Sequence, residues 1–357
     1  MSDLDHMHHA LVLARRALGR VAPNPAVGCV IVSRGGRVVG RGSTQPGGRP
    51  HAETVALMKA GEAARGGTAY VTLEPCAHLG QTPPCAEALI AAGVSRVVAA
   101  VEDPDPRVGG KGFALLRGAG IEVTTGVLEH EAAAFNAGFF LRIQDDRPLV
   151  TLKIAQSRDG KTIPPHGTSC WITGEESRRF AHLLRAQHDA ILIGIGTALA
   201  DDPELTCRLP GLEGRSPLRI VLDSDLRLPV SAKLVQSARE VGTIVFTARD
   251  GGDHLRTHGV EVLRVLADGQ GRPSLAAVTG VLAGRGVTRL LVEGGAAVWS
   301  AFLGEGLAGR LEIFTAPADL GDGGAGVVAN MLALNKYHRT GARMLGSDLL
   351  ESYAPKA

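Results

Sequence analysis

Apolar and polar positions alternate along the chain in two separate series of predicted strands and helices. In the first series, a segment reaching about Arg20 predicts an amphipathic helix with Leu11, Ala14 and Leu18 on one face. Short apolar runs predict the strands AVGCVIV, RVVGRG, TAYVTL, RVVAAV and IEVTTG. Helices are predicted from His51 and at CAEALIAAG, GFALLRGAG and EHEAAAFNAGFFLRI. Strands that alternate with helices predict a mostly parallel sheet with helices on its faces.

A polar segment ending in proline, QDDRP at 144–148, precedes a second alternating series. We therefore expect one domain over residues 1–146 and another over residues 147–357, and a length of 357 residues agrees with two domains. The second series predicts the strands LVTLKIA, AILIGI, LRIVLD, TIVFT, VEVLRV, RLLVEG and LEIFTA, and the helices EESRRFAHLLRAQ, PSLAAVTGVLAG and AAVWSAFL. Both domains are thus expected to be of the α/β class.

Composition narrows the class of protein. Apolar residues make up 45% of the chain and charged residues 21%, as is usual for globular domains. A net charge of +2 gives no field for binding a polyanion, and no apolar run approaches the roughly 18 residues of a membrane span. The first residues carry acids and histidines where a signal peptide would be basic. We expect a cytoplasmic protein that binds neither nucleic acid nor membrane, and five cysteines in such a protein argue against a disulfide framework.

Three residues of the first domain have the chemistry of a catalytic zinc site. His51 begins the segment HAE, Cys76 follows a predicted strand, and Cys85 begins a predicted helix. One imidazole and two thiolates leave the fourth position of a zinc ion for water, and helix N-termini favour thiolates. Glu53 stands where the proton-transferring glutamate of zinc deaminases stands in H-x-E…P-C.

Other interpretations of these residues remain open. His51 and the two cysteines could be unrelated core residues, or His78 could complete a four-ligand structural zinc site. The spacing also departs from the general deaminase pattern C-x-x-C, because eight residues separate Cys76 from Cys85.

The motifs together resemble one family. PNPAVGCVI, HAE, EPCAHLGQTPPC and EDPDPRVGGKG resemble the deaminase domain of the bifunctional riboflavin-biosynthesis deaminase–reductases, in which the two cysteines are widely spaced. KIAQSRDGK, SCWITG, DAILIGIGTALADDPELTCR and LLVEGG resemble the reductase domain. The resemblance covers nearly the whole chain. It implies a cytidine-deaminase-like three-layer domain followed by a dihydrofolate-reductase-like α/β domain.

The resemblance implies two consecutive reactions. The first is zinc-dependent hydrolytic deamination of 2,5-diamino-6-ribosylamino-4(3H)-pyrimidinone 5′-phosphate. The second is NADPH reduction of the ribosyl chain, giving 5-amino-6-ribitylamino-uracil 5′-phosphate. Members of the family are often oligomers, although no feature of this chain fixes the number of subunits.

The resemblance also implies roles for residues of the deaminase domain. His51, Cys76 and Cys85 would bind zinc, Glu53 would be catalytic, and the substrate would meet Asn24, His78 and Asp103. The chain departs from the family pattern at Gln81, where lysine is common, at Asp105, where asparagine is usual, and at Arg158, where leucine is usual. Asp105 would disfavour a nearby phosphate unless its side chain points away, and Arg158 would either alter packing near the nicotinamide or be solvated.

In the reductase domain, the residues themselves give weaker signals. GIGTAL is a glycine-rich turn that either faces a dinucleotide or merely joins a strand to a helix. Gly294 and Gly295 close a strand and open a helix, which suits a cofactor phosphate or close helix packing. The resemblance implies NADPH contacts at Ala155, Trp171, Thr197, Asp201, Ser224, Gly295, Ala296, Ala297, Val298, Trp299, Ser300 and Ala301. It implies substrate contacts at Ser169, Arg185, Leu205, Arg208 and Glu293, with the two arginines on the 5′-phosphate.

Two other functions compete with this interpretation. A nucleobase or nucleic-acid deaminase with a fused accessory domain would favour basic patches and stacking aromatics, but aromatic residues make up only 4%. A structural zinc module would have no need of Glu53 beside His51. Cys29, Cys170 and Cys207 are interpreted as small apolar core residues.

Overall fold

The chain folds into two compact units, Met1–Arg147 and Pro148–Ala357. The computed structural model describes residues 1–77, 83–163, 171–321, 325–326 and 335–356. The division between the units falls one residue after the boundary expected from the QDDRP segment.

The first unit is built on a five-stranded sheet. Its strands are β1 (Gly28–Val32), β2 (Val38–Ser43), β3 (Thr68–Val71), β4 (Arg96–Ala99) and β5 (Glu122–Thr125), in the order β2-β1-β3-β4-β5. Its helices are α1 (Asp3–Arg15), α2 (Ala52–Ala60), α3 (Cys85–Ala91), α4 (Lys111–Gly118) and α5 (Glu129–Gln144). Strand β1 is antiparallel to β2 and to β3, whereas β3, β4 and β5 are parallel. The expectation of a mostly parallel sheet is therefore wrong for this unit, because its first three strands pair antiparallel.

Helix α1 is shorter than the sequence pattern predicts. It ends at Arg15, and Leu18 lies beyond it in a separate small apolar cluster. The buried side chains of the helix are His6, Met7, Ala10, Leu13 and Ala14, while Leu11 is only partly buried. The predicted buried face therefore differs from the observed one, because it includes Leu18, which lies beyond the end of the helix.

Small residues let α1 and α2 approach opposite faces of the sheet. A Cβ atom added to Gly28 would lie 1.9 Å from the carbonyl oxygen of Ala10 in α1. One added to Gly42 would lie 2.0 Å from the carbonyl oxygen of Ala52 in α2. Gly42 pairs with Cys29, the neighbour of Gly28, and successive residues of a strand point to opposite faces. This three-layer packing fixes the N-terminal end of α2 against the sheet.

The second unit contains a nine-stranded sheet. Its strands are β6 (Leu149–Gln156), β8 (Ala190–Gly194), β9 (Leu218–Leu222), β10 (Thr243–Thr247), β11 (Glu261–Arg264), β12 (Arg289–Gly294), β13 (Ala308–Thr315), β15 (Tyr337–Leu345) and β16 (Asp348–Pro355). Their order is β11-β10-β9-β8-β12-β6-β13-β16-β15. All neighbours from β11 to β13 are parallel, whereas β16 is antiparallel to both β13 and β15. A short pair, β7 (Lys161–Ile163) with β14 (Ala325–Gly326), lies outside this sheet.

Helices connect the parallel strands of the second unit. They are α6 (Glu175–Ala186), α7 (Ile195–Asp201), α8 (Lys233–Gln236), α9 (Asp253–Arg256), α10 (Leu275–Gly284) and α11 (Ala296–Gly304). GIGTAL thus joins β8 to α7, as one of its two interpretations expected, and it also forms the first turn of that helix, whose extent the sequence pattern did not predict. The α/β class of both domains is confirmed. Among the described residues, no helix combines the length and the apolar character needed to cross a membrane.

Candidate active sites

Three potential metal ligands of the first unit converge. The side-chain donor atoms of His51, Cys76 and Cys85 all lie within 4.8 Å of one another. Nδ1 of His51 is 3.7 Å from Sγ of Cys76 and 3.3 Å from Sγ of Cys85. The four cysteines among the described residues are all free, so this pair forms no disulfide.

Each donor is placed by the start or end of a regular element. His51 is the N-cap residue of α2, and its imidazole makes no capping hydrogen bond. Cys85 is the first residue of α3, and its backbone N–H donates to Sγ of Cys76 at 3.4 Å. Cys76 follows β3 in the chain, and its carbonyl accepts from Ala86 N–H at 3.2 Å. The N-termini of α2 and α3 therefore meet the segment after β3 at one point.

The donor set fits a zinc ion. The hydrogen bond from the Cys85 thiol, followed by the one from His51, lowers the pKa of Cys76 to about 4. The same hydrogen bond to Cys76 raises the pKa of Cys85, because Cys85 is the partner that keeps its proton. Zinc binding to thiolates releases such a proton. Because the described residues offer one nitrogen and two sulfur donors, a fourth position would be left for a small ligand. His78, the alternative fourth ligand, lies outside the described residues, as does Gln81.

Glu53 lies beside the donors without belonging to their set. It is the second residue of α2 and is only 3% exposed. Burial raises the pKa of Glu53 to about 7, although the charge of His51 acts to lower it. The carboxylate also interacts with the Cys85 thiol. Cys29 on β1 is fully buried, and its own pKa is raised by burial and by the nearby Glu53. A carboxyl group that changes protonation near neutrality can both accept and donate a proton.

Asn24 and Asp103 occupy different loops of the first unit. The side chain of Asn24 packs on Gly48, three residues before His51, where an added Cβ would lie 2.0 Å from Nδ2. Gly48 also has a φ of +85°, so both space and backbone conformation favour glycine there. Asp103 is buried, and burial raises its pKa to about 6, with the charge of Cys76 among the smaller contributions.

Two of the residues that depart from the family pattern, Asp105 and Arg158, lie among the described residues, and each forms an ion pair. Asp105 is buried and paired with Arg107, whose Nε lies 2.9 Å from each carboxylate oxygen. Arg158 has an exposed side chain that pairs with Asp319. The charge of Asp105 is therefore already matched within its own loop, and Arg158 is a surface residue.

Four of the expected cofactor residues lie at the carboxyl ends of four adjacent parallel strands of the second unit. Ala155 lies near the end of β6, while Gly295, Thr197 and Ser224 follow β12, β8 and β9. An added Cβ on Gly295 would lie 3.1 Å from Oγ1 of Thr197. In the neighbouring contact, a Cβ on Gly194 would lie 2.8 Å from a methyl of Val298. This is the sheet edge at which open α/β folds bind ligands.

Other expected cofactor residues differ in exposure. Trp171 is 78% exposed, with Arg178 stacked 5.2 Å from its ring centroid. Asp201, at the end of α7, and Ala297 are exposed, while Ala296, Ser300 and Ala301 on α11 are partly buried. Trp299 is different, because its ring packs in the core at 7% exposure and donates Nε1–H to the Val292 carbonyl at 3.4 Å. The ring therefore belongs to the core, and the cofactor contact expected at Trp299 stays a prediction.

A buried charge cluster unites β6, α6 and β12. Arg185 donates to Glu293 from Nε at 2.6 Å and from Nη2 at 2.8 Å, with side-chain exposures of 14% and 8%. Burial alone would raise the pKa of Glu293, but the charge and hydrogen bonds of Arg185, followed by the charge of Lys153, lower it to about 2. Burial lowers the pKa of Lys153. Lys153 is not among the residues expected from the motifs, although a lysine within the apolar run LVTLKIA is a signal in the sequence.

The remaining expected substrate residues lie in or near the segment after α7. Arg208 is exposed and pairs with Glu204 at 2.7 Å. Its backbone N–H donates to Nδ1 of His182, a residue of α6 that is likewise not among those expected from the motifs. Leu205 is buried in the core with a φ of +56°, and the substrate contact expected of it stays a prediction. Ser169 lies outside the described residues, as does Cys170, whereas Cys207 is a buried free thiol.

Known families match both units. Residues 1–101 match the cytidine and deoxycytidylate deaminase zinc-binding region, and residues 148–350 match the RibD C-terminal domain. The riboflavin biosynthesis protein RibD of Aquifex aeolicus is 44% identical over 323 residues, which cover 90% of this chain and 88% of that protein. RibD of Escherichia coli is 41% identical over 338 residues, covering 92% and 91%.

Solved structures agree with this relationship over the whole chain. RibD of Acinetobacter baumannii superposes with a TM-score of 0.88 at 38% identity, covering 99% of each chain. A diaminohydroxyphosphoribosylaminopyrimidine deaminase/5-amino-6-(5-phosphoribosylamino)uracil reductase of Thermotoga maritima gives 0.87 at 36% identity, again covering 99% of each chain. The chain therefore belongs to the family of RibD riboflavin biosynthesis proteins, which join a zinc-binding deaminase domain to a reductase domain.

Proposed function

We propose that the protein deaminates 2,5-diamino-6-ribosylamino-4(3H)-pyrimidinone 5′-phosphate and then reduces the ribosyl chain with NADPH. The product would be 5-amino-6-ribitylamino-uracil 5′-phosphate. The observation that carries this proposal is the convergence of His51, Cys76 and Cys85 beside the buried Glu53 in a chain of the RibD family.

In the deamination, each protein group has a separate task. His51, Cys76 and Cys85 would hold zinc, which supplies a water activated at neutral pH. Glu53 takes a proton from the attacking water and delivers it to the amine that leaves as ammonia. A pKa of about 7 suits both transfers, because the carboxyl group is then neither too strong nor too weak an acid. Asn24, His78 and Asp103 are proposed to orient the pyrimidine.

In the reduction, the carboxyl edge of the sheet would position both reactants. We assign NADPH to the edge formed by Ala155, Thr197, Ser224 and the start of α11, where the nicotinamide would supply a hydride. The substrate would lie toward the charge cluster of Lys153, Arg185 and Glu293, with Arg208 on its exposed side. The small net charge of +2 and the 4% content of aromatic residues favour this small molecule over nucleic acid.

Removal and return of zinc test the first half of the proposal. Dialysis against a chelator should abolish ammonia release from the diamino substrate, and one equivalent of zinc per chain should restore it. NADPH oxidation with the already deaminated substrate should be the same before and after chelation. Ammonia release that survives complete removal of the metal would overturn the deaminase assignment.

A further inference from the structure

Helix α4 begins without a capping side chain of its own. Its N-cap residue is Gly110, with a φ of 73°, and the first N–H groups of a helix have no partner within it. A carboxylate from a distant segment supplies the missing acceptor. Oε1 of Glu74 accepts from the N–H groups of Gly112 at 2.9 Å and Phe113 at 3.3 Å.

The other oxygen of Glu74 binds the loop that leads into the helix. Oε2 accepts from Asp103 N–H at 3.3 Å and from Gly110 N–H at 3.0 Å. Glu74 is 3% exposed, and among the described residues no lysine or arginine forms an ion pair with it. Four backbone N–H groups therefore surround its carboxylate, two on each oxygen.

Glu74 also precedes the zinc ligand Cys76 by two residues. The intervening Pro75 lies tight against α4, since a Cβ added to Gly112 would come within 2.0 Å of the Pro75 carbonyl oxygen. One side chain thus joins the Cys76 segment, the Asp103 loop and the start of α4. These are the metal side and the expected substrate side of the deaminase site.

We propose that Glu74 is a positioning residue for deamination, which fixes Asp103 at a set distance from the metal donors. The inference rests on the proposed deaminase function. A glutamine could not replace Glu74, because it has one acceptor oxygen and turns an NH₂ group toward two N–H donors. Either the Asp103 loop or the start of α4 would lose its partner.

A double-mutant cycle between Glu74 and Asp103 separates positioning from a general effect on the fold. Glu74→Gln should keep one zinc per chain and lower kcat/KM for ammonia release about tenfold or more, chiefly by raising KM. In an Asp103→Asn background, the same substitution should lower kcat/KM less than about threefold, because its effect acts through Asp103. Equal losses in the two backgrounds, or loss of zinc, would overturn the proposal.

Two further variants distinguish a positioning effect from loss of the folded structure. Asp348→Asn removes a matched remote cap from the other unit, where Asp348 accepts from Gly174 N–H at 2.7 Å and Ser177 Oγ at 2.6 Å. It should leave ammonia release unchanged. If Glu74→Gln does not fold, Glu74→Asp replaces it in the cycle, since it keeps both acceptor oxygens but withdraws them by one methylene, and the same two outcomes apply.

The design also separates this inference from the proposed function. Wild-type protein that releases no ammonia from the diamino substrate would contradict the function itself. Wild-type protein that releases ammonia, combined with additive effects of Glu74→Gln and Asp103→Asn, would contradict the positioning role alone.

Discussion

Glu293 occupies the guanidinium fork of Arg185, accepting hydrogen bonds from Nε at 2.6 Å and from Nη2 at 2.8 Å. The third donor, Nη1, bonds to the carbonyl oxygen of Thr206 at 3.0 Å. Three of the five N–H groups of Arg185 are therefore used within the protein, and the phosphate contact expected of Arg185 stays a prediction. Arg208, which is exposed and bonded to Glu204 through Nη1, keeps donors for that phosphate.

The first prediction concerns these two arginines. Arg208→Ala should weaken the phosphorylated reductase substrate by about 10- to 150-fold and barely affect the dephosphorylated one, because charged hydrogen bonds contribute roughly 1.5–3 kcal/mol. Arg185→Ala should lower the free energy of unfolding by about 3–5 kcal/mol, because Glu293 is left buried without a partner. Steady-state kinetics with both substrates and urea unfolding measure the two effects.

A matched control for Arg208 is Arg272, which also pairs with an acid four residues away and is similarly exposed. Arg272→Ala should leave both substrates unaffected. A loss for Arg208→Ala that is equal on the phosphorylated and dephosphorylated substrates would remove Arg208 from the phosphate site.

The sequence predicts the ligands better than their surroundings. His51, Cys76 and Cys85 could be found because zinc chemistry limits the residue types and because each stands at a predicted helix start or strand end. The pairing of Glu74 with Gly112 could not be predicted, since it joins segments 38 residues apart through backbone groups that no residue type reveals. The Arg185–Glu293 pair likewise depends on tertiary packing.

Errors in the fold prediction have similar causes. The β15–β16 hairpin was missed because most of β15 is exposed at the sheet edge and so lacks a buried apolar face. The extent of helix α7 was not predicted, because Gly196 in its first turn disfavours a helix. The central strands were predicted because strands such as β8 are buried throughout and therefore read as apolar runs.

The second prediction concerns proton transfer by Glu53. Glu53→Gln should keep zinc but lower ammonia release about 10²- to 10⁴-fold, while NADPH oxidation with the deaminated substrate continues. Glu62→Gln, at an exposed glutamate of the same unit, is the control and should change neither activity. Ammonia release above about a tenth of the wild-type rate would exclude Glu53 as the proton-transfer group.

The third prediction concerns the buried His188. Its ring lies 3.0 Å from Thr151 Oγ1 and 2.7 Å from the Leu184 carbonyl oxygen, and burial followed by the charge of Arg289 lowers its pKa to about 3. Between pH 6.5 and about 3, His188 therefore carries a proton in the unfolded chain that it lacks in the folded chain. The free energy of unfolding should fall with decreasing pH in this window, by up to about 1.4 kcal/mol per pH unit.

Tryptophan fluorescence can follow this effect, because both tryptophans, Trp171 and Trp299, belong to the second unit. Urea unfolding at pH 6.5 and at pH 5 should show a smaller pH dependence for His188→Gln than for the wild type. The exposed His258 is the control, and His258→Gln should keep the wild-type dependence. An unchanged dependence in His188→Gln would mean that other groups cause it.

The stoichiometry of the two reactions tests the central claim most directly. With the diamino substrate, zinc and NADPH supplied together, we predict that ammonia release precedes NADPH oxidation and that the final amounts are equal. Glu53→Gln should abolish both from this substrate, and already deaminated substrate should restore NADPH oxidation alone. NADPH oxidation from the diamino substrate without ammonia release, or ammonia release never followed by NADPH oxidation, would contradict a single chain that performs both steps.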